Sequence, residues 1–396
     1  MSAIIHTRLA RFSVLSPVGT AEFSRGRKPT EIGRIVSVGL RPRLNSFAAT
    51  RLTAAIIAVL SLACFAAAAE KADEAATETD AGEMISPETQ KAIDRGLQFL
   101  ARQQHEDGSF GGGGYSRNVA VCGLAGMAFM SGGSTPDRGP YGAEVSRCVE
   151  FILSNSQESG FINVAGSSSH GPMYGHGFAT LFLAEAYGMS MKDEVRERLA
   201  KAVDLIVNTQ NKEGGWRYQP VRHDADISVT ICEVMALRAA RNAGIFVPRE
   251  TIDRCIEYVK KSQNADGGFM YMPQGGQSAF PRSAAGVVAL YNAGIYEGPE
   301  IEKGLAYLMG FLPNSDVIGF NRETHYFYGH YYAVQAMWHA GGKSWQQWYP
   351  AIRDELLARQ RADDGAWMDS ICQEYGTAMA CIILQMPNNY LPIFQR

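Results

Sequence analysis

The sequence predicts an all-α fold, an (α/α)6 toroid of six helical hairpins, and three observations predict it. A short stretch recurs: Gln210-Asn211-Lys212-Glu213-Gly214-Gly215-Trp216 returns as Gln263-Asn264-Ala265-Asp266-Gly267-Gly268-Phe269. An earlier copy runs from Gln104 to Gly108-Ser109-Phe110. A later one ends Asp364-Gly365-Ala366-Trp367, with Arg361 where Gln should stand and Gln360 one place earlier. Degraded copies run from Gln157 to Gly160-Phe161 and end in Gly319-Phe320. The aromatic positions 110, 161, 216, 269, 320 and 367 are 51, 55, 53, 51 and 47 apart, which makes six units of one repeat. The other two observations flank the motif. An amphipathic segment precedes it and an apolar, small-residue segment follows.

Taken in order, the chain opens with a basic leader. Residues 1–51 carry nine Arg and Lys against Glu22 and Glu31, or +7, which leaves −10 on the remainder of a chain whose net charge is −3. An acidic body argues against nucleic acid as a partner. Residues 52–69 form an uncharged apolar run ending Ala67-Ala68-Ala69, which reads as an export signal. The competing reading is an uncleaved N-terminal anchor, since the run is just long enough to span a bilayer. Any membrane association is expected through this segment alone. Residues 70–86 are Ala, Glu, Asp and Thr with little apolar content and read as a disordered linker.

The toroid is expected over residues 87–396. Ser86-Pro87-Glu88 opens the first outer helix with a capping serine and an N-terminal proline. In the third unit Val195, Leu199, Val203 and Ile206 recur at helical spacing, as do Ile252, Ile256 and Val259 in the fourth and Ile352 and Leu356 in the sixth. Gly214 and Gly267 suit a left-handed turn that stops each outer helix. The acidic residue before the Gly can accept from backbone N–H groups, and the aromatic residue can wedge against the neighbouring hairpin. Ile227 to Ala243 and Ser283 to Ala293 are apolar nearly all round, so they are inner, buried helices. The terminal units are no more polar than the middle ones, which favours a closed ring over an open solenoid with capping repeats.

The Gln-x-x-Asp/Glu-Gly-x-Trp/Phe motif at this period resembles the repeat of squalene and oxidosqualene cyclases, shared in weaker form by protein prenyltransferase β subunits. The resemblance covers roughly residues 88 to 386. It speaks to fold more than to activity, because the motif is a packing device. It implies a central cavity that acts on or binds an isoprenoid or other apolar ligand. The alternative is a non-catalytic extracytoplasmic binding or scaffold toroid with a glycan or protein ligand.

Candidate site residues follow from the ring. All inner helices start at one rim, where their positive dipole ends favour polar or anionic groups. The residues there are Arg117; Tyr174 and His176; Asp224 and Asp226; Arg282; Tyr328 and His330; and Glu374. Units three apart pair: Arg117 with Arg282, the two Tyr-Gly-His copies with each other, and the acids of unit three with Glu374. Asp224-Ala225-Asp226-Ile227 looks like the cyclase Asp-x-Asp-Asp motif, whose general acid protonates an alkene, but Ile227 replaces its last Asp. Asp226 is therefore expected to face the cavity and bind or orient a ligand, with alkene protonation and simple helix capping as rivals and Asp224 as a second carboxylate. His176 and His330 either contact ligand or hydrogen-bond at helix starts, and Tyr174 and Tyr328 either line the cavity or pack. The histidines lack a ligand spacing, and no Cys-x-x-Cys or HExxH is present, so neither metal nor cofactor is expected. Cys122/Cys148 and Cys232/Cys255 either bridge in an exported protein or serve as small core residues. A deep apolar pocket on which His176, Asp226 and His330 converge favours an enzyme; a shallow polar groove favours glycan or protein binding.

Overall fold

The computed structural model describes residues 84–313 and 324–395, apart from positions 168 and 191. The leader, the apolar run, most of the linker and the degraded motif at Gly319-Phe320 lie outside the described residues. Among the described residues there are twelve α-helices, and none is long and apolar enough to cross a membrane. The outer helices are α1 (Pro87–Gln103), α3 (Gly142–Ser154), α5 (Asp193–Thr209), α7 (Arg249–Lys261), α9 (Pro299–Met309) and α11 (Gly342–Arg359). The inner helices are α2 (Val119–Ser131), α4 (Pro172–Ser190), α6 (Ile227–Asn242), α8 (Phe280–Ala293), α10 (Tyr326–Ala340) and α12 (Gln373–Leu384). Each inner helix packs on the next, and α12 packs on α2 and α1, so the ring closes.

The motif is the joint of this ring. Its Gly takes a positive φ in all five described copies: Gly108, Gly160, Gly214, Gly267 and Gly365. Each is also pressed against the backbone of the next outer helix. A Cβ on Gly214 would lie 2.1 Å from the Arg254 carbonyl oxygen, and one on Gly160 would lie 2.1 Å from that of Lys201. The Gln then pins the turn. Gln210 Nε2 donates to Gly214 O within its own turn (2.9 Å) and to Thr251 O on α7 (2.8 Å). Gln263 repeats this with Gly267 O and Glu300 O, and Gln360 closes the ring through Gly365 O and Ala92 O on α1. The acidic residue accepts as the sequence suggests in Asp266 (from Gly268 N, 3.0 Å) and Asp364 (from Ala366 N, 3.0 Å), but in the third unit Asn211 Oδ1 replaces Glu213 as acceptor, accepting from Glu213 N, Gly214 N and Gly215 N. Trp216 and Trp367 are fully buried, and their indole N–H groups donate to Ile206 O and Leu356 O.

One register expectation is corrected. In the second unit the buried wedge is Ile162, not Phe161. The wedge sits two residues after the left-handed Gly, and Gly160 therefore places Ile162 there. Phe161 takes the position held by Gly215 and Ser109 and stays partly exposed.

The axis is filled. Tyr331 and Tyr332 of α10 are fully buried and reach α6, with Tyr331 Oη donating to Met235 Sδ (3.9 Å) and Tyr332 Oη 3.4 Å from Cys232 Sγ. Phe178 of α4 meets Tyr331 edge-on at 6.2 Å. After α12 the chain folds back under the carboxyl ends of the inner helices. Leu391, Ile393 and Phe394 are buried there, Trp338 Nε1 donates to Phe394 O (2.9 Å), and Ile393 N donates to Glu185 (3.5 Å). Burial raises the Glu185 carboxyl to about 8. The six described cysteines are free thiols, and all but Cys372 are buried. Cys122 and Cys148 are neighbours in the core, whereas Cys232 turns to the axis.

Candidate functional site

With the axis plugged from below, the amino-terminal rim of the inner helices is left as a bowl of about 670 Å³. Its walls are loops between motif and inner helix, and its lining is tyrosine-rich: Tyr115, Tyr174, Tyr218, Tyr271, Tyr326, Tyr328 and Tyr375, with Phe178 at its base. Polar side chains are interspersed, among them His170, Gln277, Arg282, Arg359 and Asp369. Tyr115 Oη and His170 Nδ1 are 2.9 Å apart with their rings stacked. The rings of Tyr174 and Tyr218 lie 6.1 Å apart, and the Tyr218 and Tyr271 hydroxyls are hydrogen-bonded. Arg217 stacks over both Tyr218 (5.1 Å) and Tyr271 (5.8 Å), a cation–π arrangement that fixes this wall.

Of the residues the sequence singled out, Tyr174, Tyr328 and Arg282 line the bowl. Tyr328 donates to Ser228 O (2.8 Å), and burial raises the pKa of both Tyr174 and Tyr328, so each is a neutral donor. Asp226 is fully buried and does not line the bowl. It caps α6, with Oδ1 accepting from Ser228 N and Val229 N at 2.9 Å each, and Oδ2 accepts from Tyr271 Oη at 3.3 Å. Burial and the helix start pull its pKa in opposite directions. Burial wins over the Val229, Ser228 and Tyr271 hydrogen bonds and nearby Arg217, leaving the carboxyl at about 6. Asp224 is not a second carboxylate acting on it. Asp224 is paired with Arg217 on the surface; burial works to raise its pKa, but His223 and Arg217 outweigh that and lower it.

The remaining candidates face elsewhere. His176 is buried between α4 and α5, with Nδ1 accepting from Ile162 N (3.2 Å) and Nε2 3.2 Å from Ala202 O. Burial lowers its pKa to about 4, so it is neutral. It holds the place that Thr230, Ser283 and Thr377 hold in other units, where a hydroxyl accepts from the wedge residue's N–H. His330 is buried among Phe280, Tyr326 and Trp348. Arg117 has a positive φ, pairs with Asp107 (2.5 Å) and covers Phe151. Glu374 is buried beside Gly112, off the bowl. Among the described residues no group of three or more His, Cys, Asp or Glu side chains is placed to hold a metal ion.

Sequence reasoning missed Tyr115, Tyr218, Tyr271, His170, Gln277 and Asp369. A signal for three of them was present. Tyr218, Tyr271 and Asp369 each stand two residues beyond a wedge residue, Trp216, Phe269 and Trp367. The same offset from the wedge recurs in three units, and all three residues line the bowl.

Solved structures share the architecture. The type II terpene cyclase MstE from Scytonema is 15% identical, covering 77% of this chain and 99% of its own, with a TM-score of 0.54. An inactive variant of the α-1,6-mannanase GH76A of Salegentibacter sp. HEL1_6, in complex with α-1,6-mannotriose, is 7% identical over 75% and 98%, with a TM-score of 0.56. An α-amylase from Clostridium perfringens is 10% identical over 74% and 97%, with a TM-score of 0.53. At these identities the likeness is one of fold. No curated protein matches the sequence. The sequence does match the family described as prenyltransferase alpha-alpha toroid domain, over residues 43–201 and 186–310. Since those spans together cover more than half of the chain, the chain belongs to the prenyltransferase alpha-alpha toroid domain family.

Proposed function

We propose that this toroid is an exported binding protein that takes an oligosaccharide in the bowl. One observation carries the reading: aromatic faces and hydrogen-bonding groups alternate around an open bowl, while Tyr331, Tyr332 and Phe178 occupy the axis where an isoprenoid chain would need apolar room. Sugars present apolar ring faces edged by hydroxyls, which this alternation complements, and the bowl has the volume of a small-molecule site. Binding rather than hydrolysis is favoured because glycoside cleavage uses a pair of carboxylates. Among the described lining residues Asp369 is the only one. Export, expected from residues 52–69, would bring the bowl to extracytoplasmic glycans. In titration calorimetry a panel of tri- and tetrasaccharides should include a binder, and Tyr218→Ala should weaken it by roughly threefold to tenfold. Absence of any sugar binder, together with an isoprenoid co-purifying with the protein, would overturn the reading.

A second reading rests on Asp226. Its carboxyl is held at about 6, and Tyr271 and Tyr218 join it to the bowl by hydrogen bonds, a route by which a proton could reach a ligand. Asp226→Asn would abolish turnover of an isoprenoid substrate under this reading; full turnover in that variant would dismiss it.

A further inference from the structure

The charged side chains among the described lining residues are Arg282, Arg359 and Asp369, and Arg282 is the arginine without an acid of its own. Other arginines near the rim have their own acids: Arg217 has Asp224, Arg359 has Glu355, and Arg117 has Asp107. Arg282 is held instead by main-chain carbonyls. Its Nε donates to Phe269 O (3.0 Å) and its Nη2 to Gln277 O, and no acid pairs with it among the described residues. A guanidinium fixed on one edge by neutral acceptors keeps its positive charge and its remaining N–H groups for another partner. Its surroundings add to that charge. It sits in the first turn of α8, which starts at the bowl without a side-chain cap, as do α10 and α12 behind His325 and Cys372. By contrast Asn118 and Asp226 cap α2 and α6. Uncapped amino ends leave N–H groups and dipole charge directed at the site.

Resting on the oligosaccharide reading, we propose that the ligand is an acidic glycan and that Arg282 binds the carboxylate of a uronate unit. A carboxylate matches a fixed guanidinium edge with two parallel hydrogen bonds. Tyr271 lines the same bowl and supplies an aromatic ring for the sugar. A phosphate would satisfy the charge equally well. On an isoprenoid, however, it would bring an apolar chain that must lie along the filled axis.

Titration calorimetry of the full chain with trigalacturonate and with its methyl ester tests this directly. The two differ in charge and hardly in shape. The acid should bind about ten- to a hundredfold tighter than the ester, the range expected for hydrogen bonds to a charged group. Raising sodium chloride should shrink that ratio. Arg282→Gln should bring the ratio to about one, and Arg282→Lys should restore part of it. Because Arg282 also ties down two loop carbonyls, the acid-to-ester ratio of the unaltered protein decides the matter if Arg282→Gln does not fold. Equal binding of acid and ester would overturn the acidic-ligand inference and leave the oligosaccharide reading standing. A ratio that persists in folded Arg282→Gln would overturn the assignment to Arg282. Binding of neither sugar would overturn the uronate inference, while the wider saccharide panel decides the oligosaccharide reading. Displacement of trigalacturonate by geranylgeranyl diphosphate at lower concentration would make the anion a diphosphate and refute the uronate.

Discussion

Replacing Gly214 with alanine separates two demands that the motif places on one residue. The first is conformational: φ is +103°, and an L side chain in the left-handed region costs about 1–2 kcal/mol. The second is steric. The new Cβ would stand 2.1 Å from the Arg254 carbonyl oxygen, whereas ordinary contacts begin near 3.4 Å, so the backbone of α7 has to retreat by about 1 Å. Forced repacking of this kind costs about 1–3 kcal/mol. Gly244 supplies the control, since its φ is +83° and a Cβ there meets nothing within 4 Å. Gly244→Ala should therefore lose about 1–2 kcal/mol at most, less a few tenths returned by the stiffer unfolded chain. Gly214→Ala should lose about 2 kcal/mol more than Gly244→Ala. Urea unfolding followed by circular dichroism measures both, with the slope m as the check that each variant unfolds from the same state. If the two variants are equally destabilised, close approach of each turn to the next helix is not what holds the hairpins in register.

The pH dependence of Asp226 gives a second outcome. Its folded pKa of about 6 lies above the ordinary 3.8, so its contribution is fully present below about 4 and is lost as pH rises through 6. Asp226→Asn should flatten that part of the stability–pH curve while keeping the cap, and an unchanged curve would show that the carboxyl is not buried as described. His176→Ala should lower stability by about 2–4 kcal/mol through lost packing and hydrogen bonds, yet leave ligand affinity in the bowl unchanged. Calorimetry showing a loss of affinity in a well-folded variant would return His176 to the site.

The ring was legible because Gly214, Gly267 and their counterparts meet a conformational and a steric demand at once, which leaves no substitute residue. Phe161 misled because an aromatic side chain is easier to see than an offset from glycine. The wedge is defined by its place after the left-handed turn, and an isoleucine fills it adequately. The site was harder to read. His176 and His330 stand out by residue type, yet in a helix whose every face is buried nothing in the spacing tells the axis from the outer wall. In α4 the wall-facing position happens to carry a histidine where α6 carries Thr230. Tyr218 and Tyr271 lie in loops, where periodicity is silent, and only alignment of the repeats on their glycines brings them together. Asp226 was correctly placed at a helix start, but its separation from the bowl depends on Tyr271, contributed by the next hairpin.

Closure of the ring sets an order in time. The last motif turn docks on the first helix: Gln360 donates to Ala92 O, and Arg95 donates to Arg361 O across 266 residues of chain. Joining ends so far apart carries a loop-closure entropy of about 5 kcal/mol, which only the completed interface offsets. The face of α1 that carries Ala92, Ile93, Leu97 and Leu100 therefore emerges first from synthesis and is covered last, when α12 arrives. A half-made chain holds an apolar stripe open to water for most of its translation. Until the final hairpin is complete that stripe has no native partner, and the unfinished chain is prone to aggregate through it.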